Sequence, residues 1–236
     1  MLNKPLYSIE KDPQTSWQNF GRLTGFLGLI FLLLVVVSLQ TFVLLPYTTF
    51  DRWFAVGAFM FCYIALGFFI YFLYHQTRPD VHYQLFTYRH LIKHIITGVI
   101  VLLLINMFFN IFRYLFQLSE PANQLEIDKL FNNSVPMHFM LIIYMLALAP
   151  VVEEGLFRGL IGNWFDADYQ YIISFIAFGL IHVGLPVDGE SLLDLIQYGI
   201  IGMYLTYLYR QHYNIEEDIS VHMANNLIGA LVLIFA

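Results

Sequence analysis

Apolar runs of roughly 20 residues restrict this chain more than any other feature, because each is long enough to cross about 30 Å of hydrocarbon as a helix rising about 1.5 Å per residue. The segment from Phe26 to Leu39 shows no alternation of polar and apolar residues. A membrane β-barrel is built from short alternating segments and is therefore excluded. Composition agrees: of 236 residues, 59% are hydrophobic and only 12% charged, and the mean hydropathy is +0.67. Those values lie outside the balance of an ordinary soluble domain.

The runs predict helices over about Leu23–Leu45, Arg52–Tyr74, Leu91–Phe116, Met137–Ile161, Tyr169–Val183, Leu192–Tyr209 and Ile219–Ala236. The expected fold class is thus all-α, a polytopic transmembrane helix bundle of about seven helices, with an eighth as the alternative. The first run is too long for the apolar region of a signal peptide and reads as a retained helix. Gln117 to Pro136 is expected to be the longest loop. With the N-terminus placed inside, the inner segments hold Lys4, Lys11, Arg22, Arg78, Arg89, Lys93, Arg158 and Arg210, and the outer ones only Arg52, Arg113 and Lys129. That asymmetry favours a cytoplasmic N-terminus.

The net charge of -6 leaves no basic patch for nucleic acid, so none is expected as a partner. A single cysteine, Cys62, lies in an apolar run and reads as a small core residue, which removes disulfides and cysteine-based metal sites. His75, His82, His90 and His94 crowd one polar stretch, but their spacings do not make a compact ligand set. They read as solvated or interfacial histidines.

A charge near the bilayer centre costs at least about 2.5–3.5 kcal/mol, so each one demands a partner or a purpose. Such groups gather in the last four helices: Glu153, Glu154, Arg158, His182, His222, Asn225 and Asn226. Glu154 and Arg158 are four apart with the acid first, the favourable order for an ion pair on one helix face. They read as structural, supporting residues. Glu153 lies about 100° round the helix, so Arg158 cannot serve both acids equally. Glu153 is then the spare carboxylate, a candidate general base or metal ligand. His222 and Asn226, again four apart, face one cavity, and His182 precedes a Gly-Leu-Pro helix break. Gly155, Gly159, Gly162, Gly179 and Gly184 would let the helices carrying these groups approach closely.

Three strings now stand in order: Glu-Glu-Gly-Leu-Phe-Arg from Glu153, Phe-Gly-Leu-Ile-His ending at His182, and His-Met-Ala-Asn-Asn from His222. Together they resemble the CPBP family of CAAX proteases and bacteriocin-processing enzymes, also labelled Abi, whose pattern is E-E-x-x-x-R, F-x-x-x-H and H-x-x-x-N. The resemblance covers about residues 137–236, a CPBP-like catalytic helix core, and residues 1–136 supply an N-terminal segment and three transmembrane helices. It implies intramembrane proteolysis: hydrolysis of a peptide bond in a membrane-associated peptide or protein at the lipid bilayer. It also implies roles, with Glu153 activating water, His182 assisting, and His222 and Asn226 stabilising the oxyanion.

Such a protein is expected to be multi-pass, in a bacterial cell membrane. A metal stays open. Glu153, His182 and His222 form a two-His, one-carboxylate set of the kind that holds catalytic zinc. Asn226 beside His222 suits an oxyanion hole better, which favours a metal-free site. The alternative to an enzyme is a non-catalytic membrane scaffold or bacteriocin-immunity protein with the same fold. A proton-coupled transporter would also use intramembrane Glu and His, but the sequence has neither repeated halves nor paired broken helices.

Overall fold

The computed structural model describes residues 16–40, 48–77, 88–183 and 189–235. Among them the regular elements are helices: α1 (Ser16–Ser38), α2 (Thr49–Thr77), α3 (Tyr88–Phe116), α4 (Ala122–Phe131), α5 (Val135–Trp164), α6 (Ala167–Val183), α7 (Gly189–His212) and α8 (Ile215–Phe235). The described residues are thus all-α. Five of these helices, α1, α2, α3, α5 and α8, are long and apolar enough to cross a membrane, giving a polytopic bundle. The remaining apolar helix, α6, has 17 residues. α7 is long enough, but Glu190, Asp194 and Gln197 dilute its first half.

The stretch from Gln117 to Pro136, expected as a loop, instead contains α4. Its sequence is too polar to announce a span, yet Leu130 is buried and the helix packs on α5 and α6. Tertiary contact, rather than length or hydropathy, stabilises it. Cys62 is half-buried against the core rather than fully enclosed.

Helix α2 shows how the bundle divides lipid from protein. Phe59, Tyr63, Leu66 and Ile70 recur at helical spacing and are buried, whereas Phe61, Phe68 and Phe72 on the other side are 72%, 73% and 57% exposed. Rings of that size exposed to water would be a liability, while in lipid they need no cover. Helix association in lipid lacks a hydrophobic drive and depends on close packing, which small residues allow.

The closest pairing is between α6 and α7. A β-carbon on Gly179 would stand 2.8 Å from the Leu195 carbonyl oxygen, and one on Gly202 would stand 3.0 Å from that of Ser174. Gly155, Gly159 and Gly162 press α5 against Ile70, Tyr74 and Tyr209 in the same way. Gly184 lies outside the described residues. α5 thus occupies the middle, touching α2, α4, α6, α7 and α8.

Candidate active site

Helix α5 is not regular. Two widened, π-helical stretches, Tyr144–Leu148 and Gly155–Leu160, flank the short segment Ala149–Glu154 that carries both acids. π-turns of this kind occur often at functional sites. Pro150 has a specific consequence here. The Ala149 N–H donates to Tyr144, and the next donor along, residue 150, is a proline with no N–H. The Met145 carbonyl is left to a side chain, and Asn226 Nδ2 on α8 donates to it at 3.0 Å.

The two acids diverge as their 100° offset requires. Glu154 is fully buried; its Oε2 lies 2.9 Å from Arg158 Nε, and its Oε1 accepts from His222 Nδ1 at 2.7 Å. The ion pair expected from spacing is present, and the bond from His222 to the same acid is a contact that spacing does not reveal. Glu153 is 6% exposed. Its Oε2 accepts no hydrogen bond among the described residues and faces two imidazoles: His182 Nε2 at 3.8 Å and His222 Nε2 at 4.0 Å.

Both rings are fixed from behind. His182 Nδ1 lies 2.8 Å from the Phe178 carbonyl one turn earlier, so Nδ1 carries the proton and Nε2 presents its lone pair. The ring stacks on Tyr198 of α7 at 4.4 Å between centroids, with 15° between planes. Tyr198 in turn accepts from Asn123 of α4. Arg158 lies over the Phe178 ring at 4.6 Å, which ties the ion pair to the turn holding His182.

A second polar chain, outside the three strings, leads to the same place. Arg113 pairs with Asp194 and donates to Gln197, Gln197 donates to Asn106, Asn106 to Asn225, and Asn225 to Asn226. Arg113 is only 4% exposed. It is a buried structural cation and carries no weight in the count of loop charges used above. Asn106 and Arg113 inside an apolar run were the sequence signal for this network, but their partners on α7 were not legible.

A divalent ion can be tested against these donors. Zinc bound tetrahedrally holds N and O ligands about 3.3 Å apart. The 3.8 and 4.0 Å separations around Glu153 Oε2 need only a small contraction, and both Nδ1 atoms are anchored, as metal-bound histidines usually are. The three ligand atoms do not, however, all come within 4.8 Å of one another as those of His94, His212 and Glu217 do, so the two imidazoles stand too far apart to fit such an ion as arranged.

Residues 135–228, which include all of these groups except those on α3 and α4, match the family described as type II CAAX prenyl endopeptidase Rce1-like. No curated protein and no solved structure matches the chain. The family match supports the CPBP and CAAX protease resemblance and, at a general level, a protease.

Proposed function

We propose that this chain, with its Rce1-like segment, is an intramembrane endopeptidase in which Glu153 and His182 activate water and His222 and Asn226 stabilise the oxyanion. The observation that carries the proposal is Glu153 Oε2, buried, accepting no hydrogen bond among the described residues, and 3.8 and 4.0 Å from two imidazole nitrogens. Gaps of that size exceed a direct hydrogen bond and match groups that share one water molecule.

In the proposed reaction the water oxygen attacks the scissile carbonyl carbon while its proton passes to Glu153. The carbonyl oxygen becomes an oxyanion facing His222 Nε2 and Asn226 Nδ2. One amide hydrogen of Asn226 is engaged by Met145 and the other is left for the substrate. Glu154 behind His222 stabilises the positive charge that the ring must carry to donate from Nε2 while Nδ1 remains bonded. The proton held by Glu153, relayed with the help of His182, then goes to the amine nitrogen as the C–N bond breaks. Products are a carboxylate and a free amine. General base catalysis of this kind contributes about 10²–10⁴-fold, and an oxyanion donor about 10²–10³-fold.

A zinc-type ion at Glu153, His182 and His222 would need the two imidazoles to draw together first, and would then supply Lewis acidity to the same carbonyl. The hydrogen-bonding role of Asn226 beside His222 favours the metal-free form.

The test is cleavage of a fluorogenic farnesylated CAAX peptide by the purified chain in phospholipid vesicles, alongside a comparison of membrane peptide termini from cells making wild-type or Glu153→Gln protein. Termini that appear only with wild-type protein support the proposal and identify the substrate class. A folded, inserted wild-type protein that generates no new terminus in either assay favours the scaffold.

A further inference from the structure

We propose a metal site, of zinc type, formed by His94, His212 and Glu217 at the junction of α3, α7 and α8. One ligand atom from each of the three lies within 4.8 Å of the others. Glu217 Oε2 is 2.8 Å from His212 Nδ1, and Glu217 Oε1 is 3.8 Å from His94 Nδ1. The two imidazole rings stand 4.5 Å apart at 74°. Two imidazoles and a carboxylate are the ligand types zinc takes, and three protein ligands leave its fourth position for water.

A direct His212–Glu217 ion pair accounts for only half of this arrangement. Glu217 is 2% exposed, and its Oε1 accepts no hydrogen bond among the described residues. A buried carboxylate oxygen left so is costly. It points toward His94 across a gap too long for a hydrogen bond and close to the ligand separation around a bound cation. The His94 side chain is 33% exposed, which gives an ion a way in.

The local backbone brings the ligands together. His212 ends α7, Glu217 lies in the first turn of α8, and the link between them passes through Tyr213 at φ 50°, a left-handed conformation uncommon for a residue with a side chain. One turn beyond His94 and Glu217, α3 and α8 touch: a β-carbon on Gly98 would come within 2.8 Å of Val221. The third element of the site is therefore packed rather than adjacent by chance. Histidine spacing along α3 could not reveal it, because the other ligands come from helices far away in sequence. His75 makes a ring contact with Tyr71 instead, and the side chains of His82 and His90 lie outside the described residues.

Zinc at this point would clamp the start of the helix that carries His222 and Asn226. The site shares no residue with Glu153, His182 and His222, so it stands or falls independently of the proposed peptidase. The test uses the full chain in detergent or vesicles, stripped with chelator and titrated with zinc chloride, with bound metal counted after desalting and thermal unfolding measured in parallel. The expected result is one retained zinc and a raised Tm in wild-type protein, kept in Glu153→Ala. Affinity should fall at least about tenfold in His94→Ala and, as a second variant, His94→Gln. No retained zinc in wild-type protein overturns the site, as does zinc kept undiminished in both His94 variants. Zinc lost in Glu153→Ala and kept in His94→Ala would assign the metal to the other cluster and equally overturn it.

Discussion

Glu154 on α5 holds His222 on α8 at 2.7 Å through Nδ1, although the two are 68 residues apart. The same carboxylate meets Arg158 at 2.9 Å. A pair that looks local in sequence is therefore the middle of a three-residue chain that orients a ring in the candidate site. Glu154→Gln should keep the shape of the side chain and remove its charge. We expect kcat of peptide cleavage to fall by about 10²-fold or more with little change in KM, as for loss of an oxyanion contribution. An unchanged kcat would leave Glu154 with a packing role alone.

Arg158→Ala removes a cation that is 1% exposed, leaving the buried Glu154 without its guanidinium partner. Breaking one side of a buried pair costs about 3–5 kcal/mol. Thermal unfolding in detergent should show a lowered Tm, and activity should fall with it because Phe178 and the His182 turn lose the guanidinium above them. Wild-type Tm in this variant would contradict the structural role.

Pro150→Ala restores an N–H that can compete for the Met145 carbonyl. Asn226 then loses exclusive use of that acceptor. Cleavage should weaken severalfold while Tm holds or rises, since alanine is the better helix residue. Full activity with an unchanged pH profile would mean that the Met145 contact does not position Asn226.

Much of the fold was legible and the site less so, for physical reasons visible in particular residues. Hydropathy located the spans because lipid imposes a length. It missed α4, whose polar sequence is held by contact, and it counted Arg113 as a loop charge because a lone cation in an apolar run does not announce Asp194 on another helix. The i, i+4 relations, Glu154 with Arg158 and His222 with Asn226, follow from helix geometry. Contacts between helices do not: Tyr198 stacked on His182, Glu154 bonded to His222, and Glu217 between His94 and His212 depend on how helices dock, which pairwise spacing cannot encode.

Gly179→Ala tests that docking. Its new β-carbon meets a backbone oxygen at 2.8 Å, an atom that cannot swing aside. Overpacking of this kind costs about 1–3 kcal/mol. Tm should drop and cleavage should drop with it, because α6 carries His182 one turn away; a neutral Tm would show that α6 and α7 have slack.

Chelation separates the two metal questions. In the metal-free account, a strong chelator lowers Tm through the His94 site and leaves the initial rate of still-folded protein unchanged. If chelation stops cleavage in a His94→Ala background and zinc restores it, the ion belongs with Glu153, His182 and His222.

The most direct measurement compares wild-type and Glu153→Gln protein, matched for folding and insertion, in cleaving the farnesylated peptide or a substrate found from the new membrane peptide termini. The account predicts loss of about 10²–10⁴-fold in kcat with Tm preserved. Cleavage at the wild-type rate by Glu153→Gln would contradict it.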